Sequence, residues 1–250
     1  MRKILAIVIF LIILMPPICQ AKTTILNLVD ISGSLADARD LFRKNMQNMN
    51  KGIDLMDKND HFTILAFRSH GQLWKVVDYQ FPKRRGGKNK KIIKARHNLR
   101  MKINQGFNTP PTDLKLMGGQ TDITGALNLA ILRLGDMNGK SNQIKLHVYS
   151  DGFQTPSIGT LYHLKNIQSY PKRKTKMVKY LKALEKKLSS VHLAKPPQLN
   201  ELVWFGAVDA DDLNLLSTDL GYLESNLRRL WVSFLEKELP ETRIIYKLKY

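Results

Sequence analysis

Thr24 to Val29 is a short apolar run of β character, and the pattern after it changes period. Leu41, Phe42, Met46, Met49, Ile53 and Met56 recur at roughly helical spacing, which predicts a helix through about Asp57 with methionines packed inward. Asn59-Asp60 punctuates that helix. His61–Phe67 reads as a second strand, and Leu73–Val77 as a third, running antiparallel at an edge. Ile123–Leu134 predicts a helix, Ile144–Tyr149 a strand, Met177–Leu188 a helix, and Leu202–Ala207 a further buried strand. Asp211–Leu216 and Leu223–Leu239 read as helical, the latter with Leu227, Leu230, Trp231, Phe234 and Leu235 on one stripe. Arg243–Tyr250 alternates apolar and basic residues in part, as an edge strand or a loose tail would. Strands alternating with helices imply an α/β domain: a doubly wound, mostly parallel sheet flanked by helices, with one antiparallel edge strand.

Composition adds a leader and a charge. Arg2 and Lys3 precede an apolar core from Ile4 to Met15, and Cys19-Gln20-Ala21 offers a small-residue cleavage site. Pro16 and Pro17 break the apolar run, which is short for a membrane span. The expected organisation is a signal peptide over 1–21, a folded domain over 22–239, and a strand or tail over 240–250. That arrangement points to a periplasmic or secreted protein, anchored in the membrane only if the leader is retained. Cys19 is the only cysteine, so cleavage after Ala21 leaves no disulfide, thiolate or Cys-based metal site.

Forty Lys and Arg face 21 Asp and Glu, a formal charge of +19 in 250 residues. The excess gathers in two insertions, near 81–112 and 154–200. Lys83–Lys102 holds ten basic residues and no acidic one, and Lys172, Arg173, Lys174, Lys176 and Lys179 mark the second. Such stretches are either solvated loops or contacts for an acidic protein or an anionic envelope component. Nucleic acid is disfavoured, because the first stretch lacks interleaved aromatics and the leader directs the chain out of the cytoplasm.

Candidate chemistry centres on Asp30-Ile31-Ser32-Gly33-Ser34. Alternate positions share one face, so Asp30, Ser32 and Ser34 converge where the first strand ends, and Gly33 permits the turn. Open α/β sheets bind ligands outside the carboxyl ends of their strands, and hard oxygens suit a hard divalent cation. Gly118-Gly119-Gln120-Thr121-Asp122 then opens a helix, and Tyr149-Ser150-Asp151-Gly152 ends a strand. Each piece has a plainer reading when taken alone: an Asx or Ser turn at Asp30 and Ser32, a helix N-cap at Thr121 assisted by Asp122, an ordinary turn at Asp151-Gly152.

The three pieces in order resemble the von Willebrand factor A domain family with its metal-ion-dependent adhesion site. The pattern D-x-S-x-S falls on Asp30, Ser32 and Ser34, the loop Thr on Thr121, and the strand-end Asp on Asp151. The resemblance implies Mg²⁺ or Mn²⁺, with Ca²⁺ less favoured. Ser32, Ser34 and Thr121 would supply hydroxyl oxygens directly, with Asp30 and Asp151 behind them through water and hydrogen bonds. It also implies a protein partner that presents an acidic residue, and no enzymatic activity. The competing reading is a polyanion-binding envelope protein that works through its basic insertions, with a structural or vestigial metal site.

Other chemistry finds little footing. Six scattered histidines lack zinc spacing, His147 sits in an apolar strand as a core residue would, and no nucleophile-elbow or P-loop motif occurs.

Overall fold

The computed structural model describes residues 22–31, 39–67, 73–83, 90–108, 121–137, 143–153, 167, 169–196, 198–206 and 217–247, without the side chains of 39–44, 217 and 218. The proposed leader and the predicted Asp211–Leu216 helix lie outside these residues.

In chain order the elements are β1 (Thr23–Asp30), α1 (Arg39–Leu55), β2 (His61–Phe67), β3 (Leu73–Gln80), α2 (Lys90–Asn108) and α3 (Ile123–Asp136). They continue with β4 (Gln143–Tyr149), α4 (Tyr170–Ser189), β5 (Glu201–Phe205), α5 (Ser217–Glu238) and β6 (Arg243–Lys247). One six-stranded sheet has the order β3-β2-β1-β4-β5-β6. All its pairings are parallel except the antiparallel β2–β3 pair at one edge. The C-terminal segment is the other edge, with Leu202 opposite Ile244 and Trp204 opposite Tyr246.

Two cores follow from strand periodicity. Leu26 and Leu28 of β1, Leu65 and Phe67 of β2, and Leu146 and Val148 of β4 face α3, α4 and α5. Ile25 and Val29, Phe62 and Ile64, and Tyr149 face α1 and α2. Every residue from Thr24 to Asp30 is buried, as a central strand covered on both sides requires.

Over Lys90–Lys102, α2 replaces the solvated-loop reading of the first basic stretch with a helix. Ala95, Leu99 and Ile103 recur at helical spacing and are buried, a narrow stripe hidden among lysines in the sequence. The helix lies close to β3, where a Cβ on Gly106 would meet the Val76 side chain and carbonyl oxygen at 2.7 Å.

Arg173 leaves the basic surface run in the same way. It is 7% exposed, and its Nε donates to Asp219 Oδ2 at 2.7 Å, joining α4 to α5. Its Nη1 also donates to the Ile167 carbonyl oxygen at 2.9 Å, so the fork of donors is held on two sides.

His147, expected as a core histidine, is half-buried in β4 and flanked by the rings of Tyr149 and Phe205 at 6.5 and 5.7 Å. Burial first, then the positive charges of Lys145 and Lys247, lower its pKa to about 4 from an ordinary value of 6.5. An unfolded chain therefore takes up this proton before the folded one does. Stability contributed here is intact above about pH 7 and falls from about pH 6.5 down to about pH 4, by at most ~3 kcal/mol. Urea midpoints measured across that window should fall for the wild type and fall less for His147→Gln. An unchanged slope in the variant would place the acid sensitivity elsewhere.

Candidate metal centre

β1 continues through α1 to β2 on one flank and pairs with β4 on the other, so the strand order reverses between β1 and β4. A crevice opens at such a reversal because the connections leave in opposite directions. Asp30 is the last residue of β1, and the register that sets Val29 opposite Tyr149 brings Ser150 beside it. Ser150 Oγ donates to Asp30 Oδ2 at 2.9 Å and accepts from the Gly152 N–H at 3.1 Å. Asp151 Oδ1 accepts from the Phe153 N–H at 2.9 Å, which closes the turn after β4.

Two indoles hold that turn from behind. Trp204 Nε1 donates to the Ser150 carbonyl oxygen at 3.0 Å, and Trp231 Nε1 to that of Gly152 at 2.9 Å. Gly152 has φ +81°, where a side chain is strained, and a Cβ there would approach Trp231 Nε1 to 3.1 Å. The two tryptophans pack with ring centroids 4.7 Å apart. β5 and α5 therefore fix the conformation of a loop in which neither supplies a candidate ligand.

Thr121 is 3% exposed and precedes Asp122, the N-cap of α3. Asp122 Oδ1 accepts from the Gly125 N–H at 3.2 Å and from Thr124 Oγ1 at 3.1 Å, which satisfies donors at the helix start. The cap is thus Asp122, not Thr121. Arg133, Asp136 and Met137 at the far end of α3 line a cleft with His61 and Gln80, at the edge where β2 begins. α3 therefore starts at the opposite edge, where β1 ends, and carries Thr121 to the same end of the sheet as Asp30 and Asp151.

Tyr246 of β6 adds an electrostatic neighbour. Burial first, then the carboxylates of Asp151 and Glu224, raise its phenol pKa well above the usual value, against a smaller opposing pull from Arg228. The phenol stays protonated throughout the physiological range.

Asp30 and Asp151, 2% and 6% exposed, are brought together through Ser150, and Thr121 joins them by helix placement. Ser32 and Ser34 lie outside the described residues. Among the described residues no group of three or more His, Cys, Asp or Glu could hold a metal. A donor set of buried carboxylates and a threonine hydroxyl, all oxygen, fits Mg²⁺ or Mn²⁺ better than a soft metal. Ser150 is a partner of Asp30 that the sequence reading passed over. Its signal was available in the Ser-Asp-Gly run, but only parallel pairing with β1 aligns its hydroxyl with Asp30.

Ser150→Ala removes the bridge between the buried Asp30 carboxylate and the Gly152 N–H, at a cost of about 1–3 kcal/mol. Gly152→Ala should cost a similar ~1–3 kcal/mol through its positive φ. Equilibrium denaturation of both variants checks these values, and wild-type stability in either would remove the strand-end turn from the structural framework of the site.

No family model and no curated protein matches this chain. Among solved structures, it is similar to the conserved hypothetical protein BatB from Bacteroides thetaiotaomicron, with 11% identity over 91% of each chain and a TM-score of 0.41. It is similar to proximal thread matrix protein 1 from the mussel byssus, a structure described with a zinc-occupied MIDAS motif, at 15% identity and a TM-score of 0.43. That match covers 91% of this chain but 42% of the byssus protein. The PilB minor pilin of Streptococcus sanguinis gives 10% identity and a TM-score of 0.46 over 93% of this chain and 58% of the pilin. At these values nothing about ligand or partner passes from those proteins to this one.

Proposed function

We propose that this chain is a von Willebrand factor A-type binding module that holds a carboxylate of a partner protein through a divalent cation. The observation that supports it most is the Ser150 hydroxyl donating to Asp30 across two adjacent strand ends. That contact joins the first and last pieces of a three-piece motif at the one point in the sheet where the strand order reverses.

In this reading Ser32, Ser34 and Thr121 hold Mg²⁺ or Mn²⁺, and Asp30 and Asp151 orient the hydroxyls and bound water behind them. The bound ion supplies an electron-poor position for an incoming carboxylate oxygen. No step calls for a general base, and the proposal is of a clasp, not an enzyme. A periplasmic or secreted setting accords with the leader pattern at residues 1–21, and a mature chain beginning at Lys22 is its signature in N-terminal mass. Among the described residues no helix is long and apolar enough to cross a membrane.

Isothermal titration with Mn²⁺ and with Mg²⁺ should show one site in the wild type, weakened about tenfold or more in Asp151→Ala, where an oriented ligand shell is lost. Capture of a partner from envelope extract should occur with Mg²⁺ and vanish in EDTA and in Asp30→Ala. Capture retained in all three conditions would refute the clasp and move the function to the basic helices.

A further inference from the structure

The outward face of α2 has a composition that the clasp does not use. The helix carries six Lys and Arg and no Asp or Glu. Arg96 and Arg100 are spent on structure. Arg96 donates through Nε and Nη2 to the Met56 carbonyl oxygen at 3.0 and 2.6 Å, and Arg100 pairs with Asp54. Lys102 lies over the Tyr79 ring at 5.3 Å. Lys90, Lys91 and Lys94 are exposed, and none has an ion pair among the described residues.

Apolar side chains stand among these cations. Ile93 is 61% and Met101 50% exposed, and at a helical spacing of 100° per residue both project from the side opposite Leu99. The arginine contacts set α2 against the end of α1, where Leu55 is 80% exposed. Three of the six large hydrophobic side chains most exposed among the described residues thus lie on one basic face.

We propose that this face, α2 with the end of α1, docks on an anionic lipid surface. Protruding apolar residues among lysines on a convex helix suit a plane that admits them a few ångströms deep while the ammonium groups remain at the headgroups. An acidic protein partner would satisfy the lysines but would need matching hollows for Ile93, Met101 and Leu55. Negative surface potential acts on all three free lysines at once. The basic helix α4 lies on the opposite side of the sheet and cannot reach the same plane. Its exposed aromatic, Tyr170, lies 5.7 Å from the Arg173 guanidinium.

Orientation follows from the topology. β3 ends at Gln80 beside His61, and α2 runs back until Phe107 meets Trp74 edge-on at 6.2 Å. Lys90, Lys91 and Lys94 therefore lie toward the edge where the parallel strands begin, as does Leu55. Lys22 is there too, its carbonyl oxygen accepting from Gln143 N–H at 3.2 Å. That edge is opposite the strand ends that carry Asp30 and Asp151.

The test is flotation of the full chain with phosphatidylcholine vesicles and with vesicles containing phosphatidylglycerol, in EDTA so that divalent ions do not bridge headgroups to carboxylates. The wild type should prefer the anionic vesicles, and the preference should weaken with added salt. Lys90→Gln/Lys91→Gln/Lys94→Gln should reduce the anionic partition on the order of 100-fold, from about fivefold per cation lost. Ile93→Ser/Met101→Ser should reduce it about tenfold, because two apolar side chains no longer leave water. Any contribution from the leader is common to all variants, so the comparison between variants on the anionic vesicles isolates α2. Equal binding to the two vesicles, or anionic binding untouched by both variants, overturns the proposal. Binding to soluble polyglutamate as tight as to the anionic vesicles, with Ile93→Ser/Met101→Ser without effect, would overturn it in favour of a soluble acidic partner.

Discussion

The parallel pairing of β1 with β4 is the constraint on which the rest of this structure depends. β1 is covered on both faces, so Leu26 and Leu28 must enter one core while Ile25 and Val29 enter the other. A shift of one residue would exchange those faces and present Asp30 to the wrong layer. The same register brings Ser150 beside Asp30 and lets a neutral hydroxyl share the end of a buried strand with a carboxylate. Core packing and the candidate site are thus fixed by one alignment.

A second layer of control comes from elements that hold no candidate ligand. Trp204 and Trp231 tie down the carbonyls on either side of Asp151, and each is itself fully buried. An acidic side chain on a free loop would sample many orientations, each diluting its affinity for an ion. Backbone carbonyls clamped by indole donors reduce that freedom without adding charge.

Charge in this molecule is separated by position. The buried carboxylates of Asp30 and Asp151 lie where the parallel strands end, while Lys90, Lys91 and Lys94, without an ion pair among the described residues, lie toward the edge where they begin. Helices that run antiparallel to the strands they follow make such a division possible, because each element has one terminus at each edge. The formal charge of +19 therefore describes no single surface of the protein.

Apolar periodicity made the alternating strands, the helix after Thr121 and the antiparallel edge readable from the sequence, since a sheet buried on both faces needs long apolar runs. Asp30, Thr121 and Asp151 were readable as one set only through the resemblance to the von Willebrand factor A pattern, whose pieces end strands or begin a helix. α2 was hidden, as Ala95, Leu99 and Ile103 form a stripe too narrow to stand out among ten basic residues. Arg173 read as one more surface cation until folding set Asp219, 46 residues away, against its guanidinium. Ser150 was visible as a residue but not as a partner of Asp30. The sequence by itself determined which segments are strands and which residue types stand at their ends. Only the tertiary structure decided which ends meet, because that depends on the order and register of strands far apart in the chain, and local periodicity carries no record of either.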